Sequence, residues 1–238
     1  MTNFDDMFGA IKPRGQYSTP TATIIYGDVG CGKTILATTA QELGKCVLIN
    51  FENRISHIDE TPNLRIIPTS QGEVREDVAC TYDQFCNFIA YVKNNEIKFD
   101  YLILDTGDEM FQKFLMGMLR KGEISDKYYG RAEVYARIWN YLKDIKDLGI
   151  SIIMTCHQKS NDDINLLLSD ALKTKVNMTV DNIFYLKAND DGNRTLQLKP
   201  TSRIAAKLTT KPELYNDIPN EITNPTWSKI MEVISEKV

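Results

Sequence analysis

The chain has 238 residues, 42% hydrophobic and 25% charged, the make-up of a packed globular protein and not of a disordered or fibrous one. Its net charge of −4 and pI near 5.3 exclude a globally basic footprint for nucleic acid, so any such role falls to local basic loops. Five cysteines without a C-x-x-C pair (Cys31, Cys46, Cys80, Cys86 and Cys156) argue for reduced thiols and against a disulfide frame or zinc knuckle.

No apolar stretch is long enough to span a bilayer, so no membrane role is expected. The acidic start, Met1 to Asp6, lacks an apolar h-region, so the expectation is a cytoplasmic protein without a signal peptide. Residues 1–20, broken by Pro13, Gly15 and Pro20, read as an irregular lead-in to one domain over residues 21–238.

Thr21 to Tyr26 has strand character, and Thr34 to Leu43 has helix character with Gly44 as the expected C-cap. Cys46 to Phe51 and Leu64 to Pro68 are short apolar runs of strand type, the second ended by proline. Apolar residues at Tyr82, Phe85, Phe88, Ile89 and Val92 repeat at helical spacing, and Thr81 with Gln84 forms a capping-box pattern ahead of them. Tyr101 to Asp105 reads as a buried parallel strand ending at the carboxyl edge of a sheet, expected beside the first strand. Helices follow over about Glu109 to Lys121 and Glu133 to Asp147, with Gly149 closing the second. Ile150 to Thr155 is the next buried strand, with His157 just past its end. Gln158 to Thr179 reads partly as a loop. Asn182 to Ala188 and Arg194 to Lys199 flank a hairpin turn, and Asn224 with Pro225 marks the start of a last helix. Strands alternating with helices indicate an α/β fold with an open, mostly parallel central sheet, three layers deep, and a C-terminal β-hairpin.

Between the first strand and first helix lies Gly27-Asp28-Val29-Gly30-Cys31-Gly32-Lys33-Thr34, which fits the phosphate-loop pattern G-x-x-x-x-G-K-[ST] of a P-loop NTPase. Glycines let successive backbone N–H groups turn inward around a phosphate. The helix start adds unpaired donors and partial positive charge. Lys33 then sits against the β- and γ-phosphates, and the Thr34 hydroxyl ligates Mg²⁺. Cys31 reads as a loop filler in preference to an oxidisable thiol.

Ligands on open α/β sheets sit at the carboxyl ends of the strands, where this loop, Glu52, Asp105 and His157 all fall. Asp105 is the expected Mg²⁺ partner, since a hard cation takes oxygen ligands and keeps several waters. No glutamate follows Asp105, so Glu52 is the candidate to orient the attacking water, with Asp108 and Glu109 as alternatives. His157 and Gln158 can donate toward a γ-phosphate, and His57, without a partner pattern, reads as structural. Lys159, Lys173 and Lys175 can pair with DNA phosphates, and Lys127, Tyr128, Tyr129 and Arg131 mix charge with aromatics as stacking surfaces do.

Taken together, Tyr26 to Thr34, Leu48 to Glu52, Tyr101 to Asp105, Ile152 to His157, and Ala206-Lys207 before Ile218-Pro219 resemble a RecA-like ATPase over about residues 20–235. The chain is most similar to the small AAA-type ATPases of the phage and prophage single-strand-annealing recombinase group. That resemblance implies ATP hydrolysis coupled to assembly on single-stranded DNA as a homo-oligomer, ring or filament. It makes Glu52 the catalytic carboxylate and His157 the γ-phosphate sensor, and assigns the loop from Lys159 to about Lys175 to DNA. It also implies a basic residue completing a neighbour's site, for which Lys207 matches best, with Arg203 and Lys211 nearby. Asn53 after Glu52 and Leu208-Thr209 after Lys207 depart from the family pattern. A P-loop kinase of a small acceptor and a non-hydrolysing nucleotide-binding assembly factor are the alternatives. No tight arginine cluster after Asp105 supplies the lid a kinase needs.

Overall fold

A computed structural model of the chain describes residues 20–52, 54, 57–67, 79–94, 97–126, 130–160 and 179–235. The lead-in before Pro20, Asn53, Lys127, Tyr128, Tyr129, and Lys173 and Lys175 with most of their loop lie outside the described residues.

Strand β1 (Ala22–Gly27) runs into the phosphate loop and then helix α1 (Lys33–Thr38), which tightens into a 3₁₀ turn over Thr39–Glu42. The expected helix is therefore two unlike pieces. The Thr38 and Thr39 hydroxyls bond back to the carbonyls of Ile35 and Leu36, a local competition typical of threonine at helix ends. Gly44 is not the left-handed cap expected: its conformation is ordinary, and its missing side chain makes room for the Asp100 carboxylate instead.

Next come β2 (Cys46–Asn50), β3 (Leu64–Ile67), α2 (Tyr82–Asn94), β4 (Tyr101–Asp105), α3 (Gly107–Arg120), α4 (Gly130–Asp147) and β5 (Ser151–His157). Thr81 and Gln84 form the reciprocal cap ahead of α2, each accepting from the other's backbone N–H, at 2.9 and 3.3 Å. The chain ends with β6 (Asn182–Ala188), β7 (Arg194–Gln197), a short α5 (Pro212–Tyr215), β8 (Glu221–Thr223) and α6 (Trp227–Ser235). The last helix starts later than Asn224 and Pro225 suggest. Thr226 caps it by accepting from Lys229 N at 3.2 Å. Asn224 adopts a left-handed conformation and accepts from Arg194 N at 3.0 Å, tying the β7–β8 corner together.

The eight strands form one sheet in the order β3-β2-β4-β5-β1-β6-β7-β8. The first six are parallel, and β7 and β8 add antiparallel at the edge. The hairpin is as expected; β8 extends it. One expectation is corrected: β4 does not neighbour β1, because β5 lies between them.

Side chains of alternate residues face opposite sides of a strand, so each strand feeds two apolar layers. Ile24 and Tyr26 of β1, with Leu102, Leu104 and Ile152, pack under α2, α3 and α4. Ile25, Leu48, Ile103 and Ile153 pack against α1, the 3₁₀ turn and α6. The result is three layers with helices on both faces, the α/β arrangement of a P-loop NTPase. All carboxyl ends of the parallel strands open onto one edge, where the expected site lies.

Candidate nucleotide site

The phosphate loop has the backbone that its glycines permit. Gly30 and Gly32 hold φ of 76° and 92°, the left-handed region. Gly27 sits so close to β6 that a Cβ there would strike the Leu186 carbonyl. Gly32 precedes α1, and Leu36 N donates to its carbonyl at 2.9 Å, so the helix begins directly on the loop.

Lys33 is 6% exposed, and its ammonium donates to the carbonyls of Gly27 at 3.1 Å and Asp28 at 2.7 Å. The loop thus holds its cation at its own mouth. Cys31 is buried beneath, and burial raises its thiol pKa despite the nearby ammonium, which fits a filler and not a reactive thiolate. Val29 is exposed at the loop tip, with its N–H on the Asp28 carboxylate at 2.7 Å.

Asp105 ends β4 at 3% exposure. The Thr34 hydroxyl donates to its Oδ1 at 2.9 Å, and so does the hydroxyl of Thr155 on the intervening strand β5. Thr155 is how the site spans the strand that separates β4 from β1. Its signal in the sequence is a hydroxyl at the end of an apolar run, a group that must be satisfied when buried. Burial pushes the Asp105 carboxyl pKa upward, against the pull of the two hydroxyls and Lys33.

These donors fit Mg²⁺. Such an ion takes one or two carboxylates, a hydroxyl, phosphate oxygens and waters rather than a cage of protein ligands. Among the described residues no cluster of three or more His, Cys, Asp or Glu could form such a cage. A cation against Asp105 and Thr34 would also compensate a carboxylate that is buried without a full counter-charge.

His157 is the last residue of β5, not beyond it. Its Nδ1 lies 2.8 Å from Asp108 Oδ2, and its backbone N donates to Asp108 Oδ1 at 3.1 Å. This two-point contact fixes the ring and turns Nε2 toward Glu52 Oε1, 3.5 Å away. The Asp108 hydrogen bond raises the His157 pKa. Burial alone would raise Asp108, but its contacts with His157 outweigh that and lower it. Glu52 lies two residues past β2, with its N–H on Asn50 Oδ1 at 3.2 Å. Burial raises its pKa more than His157 and Arg54 depress it.

The described residues form a cavity of about 290 Å³, at the lower end of small-ligand sites. Gly30, Gly32, Lys33, Thr34, Glu52 and His157 all line it. Of the alternatives to Glu52, Asp108 is engaged behind His157, and Glu109 lies in the first turn of α3 with its N–H on the Thr106 hydroxyl at 3.5 Å. Gln158 is buried off the cavity, with its N–H on the Gly27 carbonyl at 3.0 Å. His57 is corrected: it is exposed and stands on the cavity wall. Arg54 and Arg194 also line the wall without having been singled out by pattern.

The basic candidates lie elsewhere. Lys207 bridges to Ile183 near the start of β6, the opposite edge of the sheet, and its ammonium donates to the Val180 carbonyl at 2.6 Å. Arg203 is exposed in the turn before it, and Lys211 directly precedes α5. Lys159 is exposed two residues after His157, and Arg131 is exposed in the first turn of α4.

A family model described as an AAA domain matches residues 19–210, most of the chain and the whole of this site. The chain belongs to the AAA-domain family. Membership supports a nucleotide-binding P-loop ATPase of AAA type. Among curated proteins none matches it. Among the described residues no helix is long and apolar enough to cross a membrane.

Proposed function

We propose that the chain binds ATP with Mg²⁺ in this cavity, hydrolyses it, and couples turnover to assembly on single-stranded DNA in recombination or replication. One observation carries the hydrolysis reading. A carboxylate with raised proton affinity, Glu52, and a histidine aligned by Asp108 face the same cavity as Lys33 and Thr34.

The loop amides and Lys33 bind the phosphates. The Thr34 hydroxyl and Asp105 carboxylate hold Mg²⁺, which when bound offsets charge on the β- and γ-phosphate oxygens. Glu52 accepts the proton of the attacking water, a task helped by a pKa lifted toward neutrality. His157 Nε2 donates to the γ-phosphate, and its loss of that partner on phosphate release is felt directly by the chain leading to Lys159.

The DNA part rests on the resemblance of the motifs and on Lys159, Lys173 and Lys175 following His157 in the sequence. Lys207 and Arg203 do not line their own cavity, so they are the candidates for a neighbouring subunit's site. Phosphate release measured with and without single-stranded DNA tests both levels. Stimulation by DNA supports the whole reading, DNA-independent release keeps only the ATPase, and ATP binding without release removes hydrolysis.

A further inference from the structure

We propose that Arg194 is the nucleoside-binding residue of this site, its guanidinium stacking on the base of the bound nucleotide. The proposal rests on the ATP-binding reading above.

Arg194 opens β7 and pairs with Ala188, two residues beyond Leu186, the register partner of Gly27. It therefore stands above the carboxyl edge, level with the phosphate loop. Its Nε donates to the Cys31 carbonyl at 3.0 Å. A Cβ on Gly32 would come within 2.5 Å of that same Nε, so the last loop glycine makes the room the guanidinium occupies. The side chain lines the cavity. Of the three Arg194 guanidinium nitrogens only Nε has an acceptor among the described residues, and none of their carboxylates pairs with the group. A planar cation held by one edge, with its remaining donors and its face unclaimed, is built to meet a ligand.

The strand order says which part of the ligand. Thr34 bonds toward Asp105 on β4, Glu52 follows β2 and His157 ends β5, all strands on one side of β1. Those groups mark the γ-phosphate end. Arg194 comes from β7, two strands from β1 on the other side. A triphosphate threaded over the loop with its γ-phosphate at Glu52 and His157 directs its nucleoside toward β6 and β7. Arginine planes stack on bases, which lysine does not imitate.

The test is calorimetric titration of the full chain, wild type, Arg194→Ala and Arg194→Lys, with Mg·ATP and with Mg·tripolyphosphate, which has the phosphates but no nucleoside. The expected result is at least tenfold weaker ATP binding in both variants with tripolyphosphate binding unchanged. Unchanged tripolyphosphate binding also shows that the variants keep a folded loop. An equal loss for both ligands overturns the proposal in favour of loop support or a phosphate contact. Restoration by lysine, or no loss of ATP binding, overturns it too. Wild-type protein that binds tripolyphosphate as tightly as ATP overturns this inference and leaves the phosphate site standing. Wild-type protein that binds neither removes the site itself, and this inference with it.

Discussion

The phosphate loop and the acid–histidine cluster facing it are built in opposite ways. The loop is eight consecutive residues whose contacts are mostly local: Lys33 to the Gly27 and Asp28 carbonyls, Leu36 N to the Gly32 carbonyl. The cluster is drawn from β4, β5, the segment after β2 and the first turn of α3. Thr34 reaches Asp105 across 71 positions of sequence, and Asp108 meets His157 across 49. Their electrostatics differ as well. The loop offers N–H groups and a cation, whereas the cluster gathers Glu52, Asp105 and Asp108 around one histidine. An anion site thus needs only a turn and a helix start, while a hydrolytic site needs the sheet to bring distant residues into register.

The comparison breaks most simply at Lys33. Lys33→Ala removes the cation that pairs with the phosphates, and ATP affinity and turnover are both expected to fall by roughly 100-fold or more. Equilibrium titration and phosphate release check it, and unchanged values would remove the loop from the site. Glu52→Gln tests the other half. It keeps shape and a hydrogen-bonding group but cannot take a proton, so ATP should bind normally while turnover drops by about 10²–10⁴-fold. Loss of binding in step with turnover would show that Glu52 supports the ligand and not the chemistry.

These two halves were unequally legible in the sequence. The loop, the alternation of strands and helices, the Thr81–Gln84 cap and the β6–β7 hairpin all follow from patterns within a few residues of one another. Glu52, Asp105 and His157 could be marked as strand-end residues, which places them on one edge of the sheet. What joins them could not be read. The insertion of β5 between β4 and β1 is a matter of strand order, and it alone makes Thr155 the bridge to Asp105. Arg194 is equally silent, because an arginine after a hairpin turn carries no sign that it will fold back onto a loop 163 residues earlier. At the C-terminus Asn224 is the expected cap, but its side chain accepts from Arg194 N across the sheet and Thr226 caps the helix instead.

Asp105→Asn sharpens the contrast at the join between the halves. It removes a buried charge while keeping an oxygen for the Thr34 and Thr155 hydroxyls. The dependence of ATP binding on Mg²⁺ should weaken by roughly 10- to 100-fold. The ligand-free protein should melt no lower, since a buried charge without a full partner costs stability. Melting curves with EDTA and Mg²⁺ titrations of ATP binding separate the two effects. A lower melting temperature in EDTA would show that the charge is structural.

The smallest effect, and the one that isolates the cluster from the loop, is expected for Asp108→Asn. Asp108 does not line the cavity; it acts by holding His157. His157 has a folded-state pKa above its ordinary 6.5, so its share of stability is fully present below 6.5 and is lost as pH rises through the raised value. Asp108 has a folded-state pKa below its ordinary 3.8, so its share is present above 3.8 and is lost as pH falls through the lowered value. The pair therefore stabilises most between pH 3.8 and 6.5. Asp108→Asn should cost about 2 kcal/mol there, the worth of a charge-assisted hydrogen bond, and less above neutrality. Glu52 still favours the imidazolium and Lys33 still opposes it, so the His157 pKa should fall back without collapsing. Denaturant unfolding at pH 5.5 and 8.5, with NMR titration of His157, reads both quantities. ATP affinity should stay near wild type, because the phosphate loop owes nothing to this pair, and turnover should fall by less than in Glu52→Gln. An equal stability loss at both pH values would show that Asp108 serves packing and not the charge of His157.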